Sequence, residues 1–175
     1  YLLGEKLQSR YPEIEDWCAY TGNFGIQTRI NENPTQIQTL AVRKNFFQFF
    51  SYKLAEGNPA QVLVDDHSIV LSRSCANRLF GKEPALGKVL ELDMPDAKGN
   101  SNQKFTVTGI MENIENSLLK ESTEAVIPYE NISELNATIS LTDGMMGNAT
   151  SALVFFRTAK GADLNTKAND ILSYL

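Results

Sequence analysis

The chain has 175 residues, 42% of them hydrophobic and 21% charged, which is enough to bury a core as one domain or two small lobes. Sixteen basic against twenty-one acidic residues give a net charge of −5, and no basic run is longer than Arg43-Lys44, which argues against a nucleic-acid binder. No stretch approaches the roughly 20 apolar residues of a membrane span; the longest uninterrupted apolar run is Ala152 to Phe156.

The chain opens on Tyr1-Leu2-Leu3, without a methionine or signal peptide, and reads as a mature or excised fragment. Leu2 to Arg10 reads as a helix with Leu2, Leu3 and Leu7 on one side, ended by Pro12, which disfavours helical geometry in the residue before it. Three strands follow, over Ile14 to Tyr20, Phe24 to Ile30 and Ile37 to Val42. Turn chemistry separates them, at Thr21-Gly22-Asn23 and at Asn31-Glu32-Asn33-Pro34. In the second strand Phe24, Ile26, Thr28 and Ile30 alternate with Gly25, Gln27 and Arg29, the period of a half-buried antiparallel strand. Asn45 is placed to cap a short helix carrying Phe46, Phe47, Phe49 and Phe50, which reads as a core plug rather than a membrane-dipping wedge.

Ser68 to Leu92 is the best-specified stretch. Ile69-Val70-Leu71 is a short apolar run led by two β-branched residues, Ser72 is a helix N-cap, and Cys75, Ala76, Leu79 and Phe80 share a helical face. Gly81 stops the helix, Pro84 and Gly87 mark a turn, and Val89 to Leu92 begins a strand. Met94 to Gln103 reads as a polar loop, and Phe105 to Ile110 as a strand that forms a hairpin with Val89 to Asp93. Glu124 to Tyr129 reads as a further strand, Ile132 to Ile139 as a short helix, and Thr142 to Ser151 as a loop carrying Met145 and Met146 between two glycines. Ala152 to Thr158 is an apolar strand. Asp163 then caps a final amphipathic helix with Leu164, Ala168, Ile171, Leu172 and Leu175 on one face. Helix-then-strand at the start and strand-then-helix at the finish suggest that the termini share one lobe, with the middle inserted as another.

Catalytic chemistry is weakly represented. His67 is the only histidine, and Asp65-Asp66-His67 in a row does not converge on one metal ion, because successive side chains diverge. A hydrolase would have to use His67, yet Ser72 and Ser74 lack a glycine-framed nucleophile elbow. No phosphate-cradling loop or dinucleotide fingerprint occurs. Glu13, Glu15 and Asp16 read as a solvated face rather than paired acid–base carboxylates. Cys18 and Cys75 could pair, although Cys75 on an apolar helical face reads as a free buried thiol. Asn131, Asn136 and Asn148 each begin a glycosylation triplet of a kind that is common by chance.

Several landmarks recur in a recognisable order. Val42 precedes Asn45-Phe46-Phe47, Phe50, Leu54 and Gly57. Then come Ile69-Val70-Leu71-Ser72, Ala76, Leu79-Phe80-Gly81, Gly87-Lys88 and Leu90. Phe105-Thr106-Val107-Thr108-Gly109-Ile110, Asn116-Ser117 and Pro128-Tyr129 complete the set. Taken in order, from Leu40 to Tyr129, these resemble the extracytoplasmic core domain of MacB/FtsX-type ABC transporter permeases, in the version common in Bacteroidetes. The resemblance implies an α+β fold with a porter-like lobe built from both chain ends, residues 1–58 and 145–175, and an inserted sabre-like lobe of mixed α/β structure, residues 59–144. It further implies a non-catalytic, periplasmic domain of an inner-membrane permease, flanked by membrane helices and holding no cofactor or metal. The implied partners are a cytoplasmic ATPase domain or subunit, a periplasmic adaptor and a second permease copy, with no nucleic acid. On this expectation Leu3, Leu7, Leu164, Ile171 and Leu172 carry motion from the membrane into the domain, and Met145 and Met146 contact a partner. The alternative is a stand-alone periplasmic ligand-binding or adhesion module.

Overall fold

A computed structural model describes residues 2–21, 24–30, 33–94, 102–112, 122–129 and 152–174. In chain order the elements are helix α1 (Leu2–Arg10), strands β1 (Ile14–Thr21), β2 (Phe24–Ile30) and β3 (Asn33–Val42), and the one-turn helix α2 (Phe46–Phe49). Strands β4 (Leu54–Glu56) and β5 (Ser68–Ser72) follow, then helix α3 (Arg73–Phe80) and strands β6 (Val89–Leu92), β7 (Gln103–Met111), β8 (Ala125–Pro128) and β9 (Ala152–Thr158). A 3₁₀ turn (Leu164–Lys167) leads into helix α4 (Ala168–Tyr174).

Among the described residues nine strands form one mixed sheet in the order β4-β7-β5-β8-β3-β1-β9, with β2 also on β3 and β6 also on β7. Strands β3 and β7 are long enough to hold two partners along one edge. β3 carries β2 over Asn33–Thr39 and meets β1 at Val42, while β7 carries β6 over Gln103–Thr106 and β4 at Ile110 and Met111. On their other edges β3 pairs in parallel with β8, and β7 in parallel with β5. The outer edges of β2 and β6 then face one another. The Asp93 N–H donates to the Gln27 carbonyl at 2.8 Å, and Thr28 Oγ1 donates to the Glu91 carbonyl at 2.8 Å.

Those two bonds bring the sheet round on itself into a barrel-like closure of β3, β2, β6, β7, β5 and β8. Each of these strands sends an apolar side chain inward, and Ile26, Ile37, Ile69, Leu90, Phe105 and Ile127 belong to one buried cluster. Helix α3 adds Cys75 and Ala76 to it. The alternation of a strand puts Val70 and Val126 on the opposite face, where they pack with Phe46, Phe47, Val62 and Leu63. The four phenylalanines are therefore a plug on the outside of the barrel wall, with Phe46 and Phe47 fully buried and Phe49 and Phe50 partly so. The fold is α+β. The boundary expected after residue 58 falls just beyond β4, and the sheet continues across it, since β2 and β3 precede it and β5 to β8 follow.

The Ser68–Leu92 unit forms as its local chemistry dictates: Ser72 Oγ accepts from the Cys75 N–H at 3.2 Å, and Gly81 takes φ 66° at the helix end. Three expectations need correction. Asn33 and Pro34 are strand rather than turn, paired with Ile30 and Arg29. Pro34 is tolerated because it lies near the start of β3, outside the stretch paired with β8. Asn45 makes no side-chain cap; its amide is used on β1 instead. The last helix begins as a 3₁₀ turn, capped by the Asp163 carboxylate, which accepts from the Asn165 N–H at 2.9 Å, and its described residues do not all share one face, since Ile171 packs inward while Leu172 is exposed. The expected helix at 132–139, the three glycosylation triplets and Asn116-Ser117 lie outside the described residues.

Candidate functional site

The β1–β9 ladder separates two kinds of packing. Trp17 and Phe156 are directly opposite each other across it, and so are Cys18 and Phe155. Successive residues point to opposite faces of a strand. Phe155 accordingly stacks on Tyr20, at 5.6 Å between ring centroids, on the side of the phenylalanine plug. Phe156 joins the other side, where the two chain ends meet.

That meeting place is a small core of its own. Leu7, Tyr11 and Ile14 are buried there, and Leu3, Phe156, Leu164 and Ile171 pack against them. Of the five residues expected to carry motion, the fold thus gathers Leu3, Leu7, Leu164 and Ile171. Leu172 is elsewhere: its residue is 70% exposed, because successive residues of an α-helix lie about 100° apart and Ile171 takes the inward place. Met145 and Met146 lie outside the described residues.

A polar clasp surrounds this core. The Tyr11 hydroxyl donates to Asp170 Oδ2 at 2.5 Å, and Arg10 reaches Asp170 Oδ1 at 3.2 Å. Lys167 donates to Glu13, and its ammonium lies 5.5 Å from the centroid of the Tyr11 ring. The Lys167 hydrogen bond holds the Glu13 carboxyl below its ordinary range, and the bonds from Tyr11 and then Arg10 do the same for Asp170. The clasp joins segments about 160 residues apart, so none of Arg10, Tyr11, Glu13, Lys167 or Asp170 announces itself in the sequence. Gly4 does leave a signal. It sits inside a helix, where glycine is unfavourable, and it lets α1 lie directly on the indole of Trp17.

The candidate chemistry resolves into structure. His67 is exposed beside Phe105, and Asp65 caps the turn before β5 through the His67 N–H at 2.7 Å. Asp66 pairs with Lys44 at 2.6 Å. Among the described residues no group of three His, Cys, Asp or Glu side chains could hold a metal ion. Cys18 and Cys75 are free and lie in different clusters, and burial pushes each thiol up to about 12. Ser72 Oγ lies 3.1 Å from Ser74 Oγ and serves as the cap described above. A surface cavity of about 300 Å³ beside α3 is lined by residues including Arg73, Asn77, Lys82 and Glu83, and one of about 160 Å³ at the β2–β6 seam includes Arg29, Glu91 and Asp93. Neither touches the junction of the chain ends. No helix among the described residues is long and apolar enough to cross a membrane.

Comparison with known proteins places this geometry in context. Residues 3–174 match the family described as MacB-like periplasmic core domain. No curated protein matches the chain. Among solved structures, a domain assigned to a permease of Porphyromonas gingivalis is similar at TM-score 0.67 and 20% identity, over 98% of this chain and 68% of its own. The periplasmic region of MacB from Actinobacillus actinomycetemcomitans is similar at TM-score 0.62 and 14% identity, over 99% and 71%. The extracellular domain of the noncanonic ABC-type transporter YknZ from Gram-positive bacteria gives TM-score 0.64 and 16% identity, over 99% and 80%.

Proposed function

Because the chain belongs to the family of MacB-like periplasmic core domains, and so is the periplasmic domain of a MacB/FtsX-like ABC transporter permease, we propose that it transmits work rather than performing chemistry. ATP hydrolysed by a cytoplasmic ATPase domain or subunit would move membrane helices flanking the chain, and the domain would turn that motion into efflux, lipoprotein or peptide handling, or signalling. The observation that carries the reading is the junction of the chain ends. A domain driven through its two ends needs those ends fastened to one another and to the sheet. Leu3, Leu7, Leu164 and Ile171 around Tyr11 and Ile14, with the Tyr11–Asp170 and Lys167–Glu13 bonds outside them, make such a fastening. On this reading the terminal lobe of residues 1–58 and 145–175 receives the motion and residues 59–144 form the outer part. β2 and β3 enter the barrel from the terminal lobe, so shared strands stitch the two together. A periplasmic adaptor and a second permease copy are the remaining proposed partners, with Met145 and Met146 as proposed contacts.

The test is made in the full-length permease with its ATPase. Leu7→Ala combined with Ile171→Ala should leave ATP hydrolysis in place while transport falls, with the protein still folded in the membrane. Transport that continues unchanged, with loosened helix packing verified by cross-linking, overturns the reading.

A further inference from the structure

We propose that the seat of α1 on Trp17 is coupled, through Arg43 and Asn45, to the phenylalanine helix α2, so that displacing the terminal helices loosens the plug on the barrel wall. The inference rests on the reading of the junction as the receiver of motion, and it adds the route onward.

The route starts with a contact that has no slack. A Cβ on Gly4 would lie 2.2 to 2.6 Å from atoms of the Trp17 six-membered ring, so the helix backbone rests on the indole itself. Trp17 is 1% exposed and can give way only against Arg43. The Arg43 guanidinium lies 4.2 Å from its ring centroid. The Trp17 carbonyl accepts from Arg43 at 2.8 Å and from the Asn45 amide at 3.0 Å. Beside it the Asp16 carboxylate accepts the Trp17 N–H at 2.8 Å, the Asn45 amide at 3.1 Å and Arg43 at 3.4 Å. A shift of α1 that tilts Trp17 or its peptide therefore strains both Arg43 and Asn45.

Those two residues are the root of α2. The Phe46 N–H donates to the Arg43 carbonyl at 2.9 Å, and the Phe49 N–H to the Asn45 carbonyl at 2.8 Å. A four-residue helix cannot hold itself, since one turn costs more conformational entropy than its bonds return. It is placed by its neighbours. Asn45 also departs from the local rule for its position: it stands at the N-cap, yet its side chain caps nothing. Its Oδ1 is buried with no hydrogen-bond partner among the described residues. Tying α2 to β1 through this amide thus leaves Oδ1 unsatisfied, and the link stands on the amide's bonds to Asp16 and Trp17. Downstream, Phe46 and Phe47 pack in one cluster with Val70 of β5, Met111 of β7 and Val126 of β8, which are barrel strands.

The experiment reads amide hydrogen exchange of Phe49 and Phe50, whose N–H groups bond within α2, in the 175-residue chain. Gly4→Ala, which forces α1 off the indole, should speed their exchange about tenfold. Ile26→Val in the barrel serves as the control, compared at matched global stability. In an Asn45→Ala background the added effect of Gly4→Ala should fall below about twofold. If Gly4→Ala does not fold, Leu3→Ala loosens the same helix and is read identically. Exchange at Phe49 and Phe50 that moves no more than in the control, or an effect undiminished by Asn45→Ala, overturns the proposal. Because exchange is read without the transporter, coupled exchange with unimpaired transport would sink the functional reading and leave the coupling standing. Uncoupled exchange with impaired transport would do the reverse.

Discussion

Replacing Gly4 by alanine sets two effects of opposite sign against each other, and the structure says which is larger. In an exposed helix interior alanine is favoured over glycine by about 1 kcal/mol. Here the new methyl would sit 2.2, 2.3 and 2.6 Å from three atoms of Trp17, whereas carbon atoms in contact keep about 3.5 to 4.0 Å. The indole can give way only against Arg43, because it is buried and belongs to a residue inside the β1–β9 ladder. Helix and ring must separate by about 1.3–1.8 Å to bring the shortest contact, 2.2 Å, back to ordinary distance. Overpacking of this kind costs about 1–3 kcal/mol, and lifting α1 also unseats Leu7 and Tyr11, now 4% and 3% exposed, at about 25 cal/mol for each Å² returned to water. The net expectation is a loss of about 1–2 kcal/mol, the propensity gain being outweighed. Urea unfolding of the chain measures it, followed by far-UV circular dichroism and by tryptophan emission, which comes from Trp17 alone because the sequence has one tryptophan. The native emission should also shift to the red. A raised unfolding midpoint with unchanged emission would show that propensity wins and that α1 does not rest on the indole.

Leu7→Ala should cost about 2–5 kcal/mol and Leu172→Ala no more than about 0.5 kcal/mol, since the first residue is 4% and the second 70% exposed. Equal losses in urea titrations would contradict the orientation of α4. Ser72→Ala should cost about 1 kcal/mol through loss of the bond from the Cys75 N–H; an unshifted thermal midpoint would remove the cap from the account of α3. With burial raising both thiols to about 12, Cys18 and Cys75 should stay unmodified by a thiol reagent in mildly alkaline buffer until denaturant is added. Rapid native labelling would refute their burial. Glu13 and Asp170 have folded values depressed below 4.5 and 3.8 by their partners, so their contribution is present above those values and lost as pH falls through the lower, folded ones. Acidification through that range should therefore destabilise the native chain more than the Glu13→Gln/Asp170→Asn double variant, read as urea midpoints against pH. Parallel profiles would mean that the clasp does not contribute.

How far each feature was legible follows from how far its cause extends along the chain. The cap at Ser72 and the stop at Gly81 were readable because the bonds that set them are local, and the bounds of β2 and β9 because the apolar pattern of a strand is local even where its partner strand lies far along the chain. Asn45 misled because the same side-chain amide serves a cap or a remote strand equally well, and the choice was made by Asp16 and Trp17, nearly thirty residues upstream. The barrel closure rests on Gln27 meeting Asp93, and the clasp on Arg10 and Tyr11 meeting Asp170; no periodicity reports such pairs. Long-range contacts do leave one kind of trace, which is a residue that local rules disfavour. Glycine within α1 costs the helix conformational entropy with no local return, and the same holds for an N-cap asparagine that caps nothing and leaves Oδ1 buried without a partner among the described residues. Both exceptions meet at Trp17, one through its ring and the other through its carbonyl. Two local penalties converging on one buried residue are what a fold retains when that contact does something that regular secondary structure alone does not require.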